Sequence, residues 1–232
     1  MLKVEGLNAG YGRVEVLWDV ALEVGANEIV SLVGSNGAGK TTLLRAISGV
    51  IAPTAGSISF DGKEISGLPP EDVVGRGIAH VPEGRRLFAG LTVRENLVVG
   101  AYSHRDGTEG IDRVVQMFPR LGERLDQVAG SLSGGEQQMC AIARGLMASP
   151  KLVMIDELSL GLAPNLVDQL LDRLKEIPAD GTSVLLVEQD VDAALRLAKR
   201  GYVMETGRIA ATGSGEELLS DPRVREAYLG VA

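Results

Sequence analysis

Gly34-Ser35-Asn36-Gly37-Ala38-Gly39-Lys40-Thr41 fits the pattern G-x-x-x-x-G-K-[ST]. In that pattern glycines let the main chain wrap a polyphosphate, with successive N–H groups and a helix N-terminus facing the anion. Lys40 supplies a point charge for the β and γ phosphates and Thr41 a hydroxyl for Mg²⁺, and Thr42 completes the candidate contacts. A glycine-rich turn with a surface lysine is the plain alternative, and the flanking strand and helix weigh against it. The motif alone does not separate kinases, GTPases and ATPases. Leu152-Val153-Met154-Ile155-Asp156-Glu157 adds an acid at the end of an apolar strand. Asp156 would hold Mg²⁺ or its waters; Glu157 is placed to polarise a water for attack on the γ phosphate, which favours hydrolysis over transfer to a bound acceptor. Two acids that merely end a strand are the alternative, weakened by the P-loop. The chain has no Asn-Lys-x-Asp run, which disfavours GTP.

A third segment, Leu132-Ser133-Gly134-Gly135-Glu136-Gln137-Gln138, contains Ser133-x-x-Glu136, a capping box that accounts for the Ser and Glu as an ordinary helix start. It does not account for the paired glycines. Gly134 and Gly135 bare the amides of a helix N-terminus and, with the Ser133 hydroxyl, make a second anion site.

These groups need elements to place them. Apolar residues on every second position from Val14 to Val24 predict a half-buried strand pair or hairpin. Glu28 to Val33 reads as a strand, 34–39 as a loop and Lys40 to Ser48 as a helix. Ser57 to Phe60 reads as a strand turning at Asp61-Gly62. Thr92-x-x-Glu95 opens a helix, and Ile111 to Leu125 has helical spacing interrupted at Pro119, which together predict a helical subdomain over 85–131. Lys151 to Asp156 and Thr182 to Val187 read as strands, and Asn165 to Ile177 and Val191 to Ala198 as helices. A hairpin around Thr206-Gly207 and short helices to Leu229 follow. Strands alternating with helices imply a parallel sheet covered on both faces.

With 232 residues, 45% apolar and 23% charged, the chain is expected to fold, and its apolar runs are strand-sized, far short of a membrane span. The N-terminus shows no secretory pattern, so a cytosolic location is expected. One cysteine, Cys140, and two histidines, His80 and His104, are too few for a disulfide framework or a Cys/His zinc cluster. A net charge of −8 opposes non-specific attraction to nucleic acid or anionic lipid.

The order P-loop, Leu-Ser-Gly-Gly-Glu, Ile-Asp-Glu resembles the nucleotide-binding subunit of an ABC transporter over essentially the whole chain. Val81-Pro82-Glu83-Gly84-Arg85-Arg86-Leu87-Phe88, Leu160-Gly161-Leu162-Ala163-Pro164, Val187-Glu188-Gln189 and Glu226-Ala227-Tyr228-Leu229-Gly230 are similar to the LivF-type ATPase of branched-chain amino acid importers. The resemblance implies one ABC ATPase domain: a P-loop core with a mostly parallel sheet and an antiparallel β subdomain (1–84 and 132–232), and an inserted helical subdomain (85–131). It implies that Ser133, Gly134 and Gly135 of one subunit complete the ATP site of another, in a homodimer or with a related ATPase. It also implies permease subunits in the membrane, contacted by the region from Glu83 through the helical subdomain, and an extracytoplasmic solute-binding protein. The chain would then be peripheral on the cytoplasmic face. Tyr11 matches the aromatic that stacks on adenine, or is a strand residue packing its ring.

Three positions depart from the general family pattern. Glu83 stands where a Gln usually meets the metal and the membrane subunit, and would meet Mg²⁺ through water. Gln189 stands where a histidine usually touches the γ phosphate; its amide donates a hydrogen bond but cannot shuttle a proton. LivF-type chains resemble this one at both. Leu158 follows the catalytic Glu where Pro is usual, removing a fixed φ. The cargo expected from the resemblance is branched-chain amino acids or related small polar solutes. The competing expectation is a nucleotide-gated clamp on DNA or a ribosome, against which stand the acidic charge, the single ATPase unit and the lack of a long coiled-coil insertion.

Overall fold

The computed structural model describes residues 1–101 and 109–229. His104 and Gly230 lie outside them. Strands β1 (Leu2–Tyr11) and β2 (Val14–Val24) pair antiparallel across Gly12, whose φ is +61°. The alternating run from Val14 to Val24 is therefore a single strand rather than a strand pair of its own, and β1 is its partner. Its alternation also breaks. Leu17 and Val20 are both fully buried, and Val14 and Trp18 are exposed. Asp19, at φ +52°, supplies the extra bulge residue that shifts the register, and its N–H donates to Asn8 Oδ1 at 2.7 Å.

Next come β3 (Ile29–Val33), α1 (Lys40–Ile47), β4 (Ala55–Phe60) and β5 (Lys63–Glu64). Asp61 and Gly62 both have positive φ, as a two-residue hairpin turn requires. The order β2-β1-β4-β5 forms an antiparallel sheet. The remaining strands and α-helices among the described residues are α2 (Pro70–Gly75), β6 (Ile78–Val81), α3 (Val93–Gly100), α4 (Glu109–Met117), α5 (Pro119–Gly122), α6 (Gly134–Leu146), β7 (Leu152–Asp156), α7 (Pro164–Leu174), β8 (Ser183–Glu188), α8 (Val191–Leu197), β9 (Arg200–Glu205), β10 (Arg208–Gly213), α9 (Gly215–Ser220) and α10 (Pro222–Val224). The second sheet runs β10-β9-β3-β8-β7-β6, parallel from β9 to β6, with β10 as an antiparallel edge.

Every residue of β3, β7 and β8 is buried, as central parallel strands covered on both faces require. The period of two splits each strand between two cores. Leu32, Met154 and Leu185 pack toward the antiparallel sheet and α1, while Val33, Ile155 and Leu186 pack under the helices on the other face. Because the three strands are parallel neighbours, their C-terminal ends bring Gly34, Glu157 and Gln189 to one edge of the sheet.

Among the described residues, 85–131 holds α3 to α5. Thr92 caps α3 in a full capping box with Glu95, and Pro119 starts α5 just after α4 stops. The N–H groups of Val93 and Arg94 donate to the carbonyls of Gln127 and Leu125, closing the base of the segment. This segment packs on α6, which lies beyond it in the chain. The helix expected over Asn165 to Ile177 ends at Leu174. Ile177–Asp180 forms a separate 3₁₀ turn, since Pro178 offers no N–H to continue the ladder.

Candidate functional site

The loop after β3 is built for close approach of backbone. Gly37 and Gly39 have φ of +82° and +109°, and a Cβ on Gly34 would lie 2.3 Å from the Met204 carbonyl oxygen. Lys40, first residue of α1, is 4% exposed. Its Nζ donates to the carbonyls of Gly34 (2.7 Å) and Ser35 (3.2 Å) and lies 3.3 Å from Glu157 Oε1. Thr41, Thr42, Asn36, Gly37 and Gly39 line a polar cleft of about 430 Å³, together with Glu83, Glu157 and Leu160. Ala38 is buried beneath the loop. Tyr11, at the end of β1, stands on the same cleft and is 43% exposed. Its hydroxyl accepts from Arg45 Nη1 at 2.8 Å and lies 3.4 Å from Thr42 Oγ1, and the Arg45 guanidinium sits over one ring face, 5.9 Å from the centroid.

Asp156 ends β7 at 1% exposure, and neither carboxylate oxygen has a hydrogen-bond partner among the described residues. Burial pushes its carboxyl up to about 6. Glu157 and Glu83 add to that, while the Thr41 side chain and Lys40 oppose it. A buried acceptor pair left without donors is costly, and it suits a hard divalent cation beside a hydroxyl oxygen. The described residues hold no cluster of three His, Cys, Asp or Glu, so such a cation would take its other ligands from phosphate and water. Glu157 is left-handed at φ +47°, a conformation that costs a non-glycine residue roughly 1–2 kcal/mol. Its N–H donates to Val187 O at 2.9 Å.

Ser133 caps α6. Its hydroxyl donates to Glu136 Oε2 (2.7 Å) and accepts from the Glu136 N–H (3.4 Å), which holds the Glu136 carboxyl below the usual carboxylate range. The two glycines have a packing reason as well. A Cβ on Gly134 would lie 3.2 Å from Arg85 Nη2, and one on Gly135 3.0 Å from Leu166 Cδ1. Ser133, Gly134 and Gly135 do not line the cleft around Lys40 of their own chain. Nor does Gln189, which is exposed at the end of β8.

Three residues near the site were given no role by the sequence. Arg85, left-handed at φ +64°, donates to Gln137 Oε1 at 3.1 Å, and Arg144 donates to the carbonyl of Arg86 at 2.8 Å. Together they tie the Glu83 loop to α6. Glu188 is 2% exposed and grips Ser159, two residues beyond Glu157; burial raises its carboxyl against the pull of those hydrogen bonds. Arg85 and Glu188 stand within segments that carry the family resemblance, and Glu188 is a charged residue ending the apolar run Val184 to Val187, but nothing in the sequence pairs them with Gln137 or Ser159.

A family model described as ABC transporter matches residues 17–159, and one described as branched-chain amino acid ATP-binding cassette transporter matches residues 208–232. The chain is 47% identical over 232 residues to the Pseudomonas aeruginosa high-affinity branched-chain amino acid transport ATP-binding protein BraG, covering 99% of this chain and 100% of that one. It is 37% identical over 234 residues to the probable branched-chain amino acid transport ATP-binding protein LivF of Archaeoglobus fulgidus, covering 100% and 99%. A solved ADP conformation of an ATP-binding cassette of an ABC transporter matches with a TM-score of 0.89 at 28% identity, covering 100% and 99%. The P-loop, the acids that end β7 and this end-to-end likeness agree: the chain belongs to the ABC transporter family, as an ATP-binding subunit that hydrolyses ATP.

Proposed function

We propose that this chain energises the import of branched-chain amino acids, or related small polar solutes, through membrane-spanning permease subunits. The observation that carries the proposal is the meeting of Lys40 and Glu157 at one cleft, with the buried Asp156 beside them, in a chain matched end to end by branched-chain amino acid transport ATP-binding proteins. Lys40 and the loop amides bind the triphosphate, Tyr11 stacks on the base, and Glu157 accepts the proton of the attacking water. Thr41 and Asp156 would hold Mg²⁺, with Glu83 reaching it through water, and the cation would supply neutralisation of phosphate charge. Gln189, which does not line the cleft of the isolated chain, would donate to the γ phosphate once nucleotide is bound. The site is completed by Ser133, Gly134 and Gly135 of a second ATPase subunit, a copy of this chain or a relative, because these residues stand away from their own cleft. ATP bridging the two faces favours the closed pair, and hydrolysis removes the bridge. No observation favours a clamp on DNA or a ribosome.

Lys40→Ala tests the binding half of the site. It removes a charged donor to phosphate, worth about 1.5–3 kcal/mol, so Kd for ATP should rise about 10- to 150-fold in a nucleotide titration. An unchanged Kd would refute the role given to Lys40.

A groove of about 340 Å³ lies between the Glu83–Phe88 segment, α3, α6 and the β6 edge, and includes Val81, Phe88, Val99 and Ala141. Phe88, Val98 and Val99 are exposed, and Arg144 sits over the Phe88 ring at 5.5 Å. No helix among the described residues is long and apolar enough to cross a membrane. The groove suits an apolar segment of a permease subunit, which would place the chain on the cytoplasmic face of the membrane and couple it, through that subunit, to an extracytoplasmic solute-binding protein. Val99→Asp should abolish co-purification with the permease subunits while leaving the ATPase rate of the isolated subunit within about twofold. Undiminished co-purification would contradict the assignment. For the whole reading the test is uptake of leucine, isoleucine or valine by the assembled complex in vesicles. ATP-dependent uptake is expected, and its absence for all three, with recovery of nucleic acid instead, would overturn it.

A further inference from the structure

Glu157 combines a left-handed backbone with a neighbour, Leu158, that lacks the fixed φ of proline. Something else must hold the segment. Leu158 is fully buried in the core under the helices, which anchors it from one side. From the other side two rungs reach across from β8. Val187 O accepts the Glu157 N–H at 2.9 Å, and the Glu188 carboxylate takes hold of Ser159, Oε1 accepting the backbone N–H at 3.0 Å and Oε2 the hydroxyl at 2.7 Å. Oε2 also accepts the Gln189 N–H at 3.3 Å. One buried carboxylate therefore joins the backbone two residues past Glu157 to the backbone of Gln189.

We propose that Glu188 is a positioning residue for hydrolysis, its buried carboxylate clamping the Glu157–Ser159 segment to the strand end that presents Gln189, in place of the rigidity a proline would give. This rests on the reading of Glu157 as the base. Glu188 touches no phosphate itself, so its loss should act on turnover rather than on ATP binding.

The test compares four variants of the full chain by steady-state kinetics and ATP titration. Glu188→Ala should lower kcat about tenfold or more with KM and Kd for ATP within about twofold, since a small misplacement of a reacting group is enough to slow chemistry that strongly. Glu188→Gln should restore part of that loss, because its carboxamide oxygen accepts the Ser159 N–H and its NH₂ donates to the hydroxyl, while the Gln189 N–H loses its acceptor. Ser159→Ala, which removes one donor and leaves the buried acid in place, should lower kcat about threefold and carries the test should Glu188→Ala not fold. Glu157→Gln is the fourth. If it is inactive while Glu188→Ala or Ser159→Ala turns over normally, the clamp is refuted and the base stands. If Glu157→Gln is active, the base assignment fails instead. Weakened ATP binding in step with kcat, or no recovery with Gln, would also refute the clamp by showing general disruption of the site.

Discussion

Glu157→Gln should lower ATP turnover by about 10²–10⁴-fold, the usual contribution of a positioned general base, while ATP binding persists. The amide has the shape of the carboxyl, so the left-handed turn at φ +47° and the burial of Leu158 are kept. The Lys40 ammonium, 3.3 Å from Glu157 Oε1, keeps an oxygen acceptor there. What is lost is the capacity to take a proton. One negative charge also leaves a site where Asp156 and Glu83 already crowd, so nucleotide should bind at least as well as before. The bound state then outlives the reaction, and the variant should run as a dimer in ATP and as a monomer without it. Wild-type turnover in this variant would remove Glu157 from the mechanism.

Ser133→Asp separates two explanations of one residue. As an ordinary N-cap, Ser133 is replaceable in part: Asp accepts from the first-turn N–H groups as Ser does, but it cannot donate to Glu136 Oε2 and meets that carboxylate, so unfolding free energy should fall by only about 1 kcal/mol. As part of a phosphate site, it is not. A carboxylate set at that helix end would face the γ phosphate of the nucleotide held by the other subunit and repel it, and turnover should fall about 10²-fold or more, the scale seen when a charge-stabilising donor is removed. The crowding of Gly134 by Arg85 and of Gly135 by Leu166 makes this test necessary, because packing alone explains why those positions lack side chains. Undiminished ATPase activity in the folded variant would leave Ser133 as a cap and nothing more.

Local signals were the readable ones. The P-loop, Thr92-x-x-Glu95, Ser133-x-x-Glu136, Asp61-Gly62 and Thr206-Gly207 each state a hydrogen-bond or φ requirement within a few residues, and each forms the turn or cap its chemistry demands. The parallel sheet was readable too, because strands buried on both faces are apolar at every position, as Leu152 to Ile155 and Val184 to Val187 are. Features set by distant partners were not. The bulge at Asp19 depends on Asn8 across the sheet, and without that pairing Val14 to Val24 reads as unbroken alternation. The Glu188 clamp joins residues 29 positions apart, and Arg85 meets Gln137 52 positions away. Neither pair has a spacing rule, since the fold rather than the local chain sets those distances. At Asp156 the residue type was plain in the sequence, whereas the unmatched oxygens that point to a cation became evident only from its burial.

The most direct measurement is the structure of the Glu157→Gln variant trapped with ATP and Mg²⁺. It should show each triphosphate between Lys40 of one subunit and the Ser133–Gly135 helix end of another, with the cation at Thr41 and Asp156. A triphosphate enclosed by one subunit alone, with Gly134 far from every nucleotide, would contradict the account.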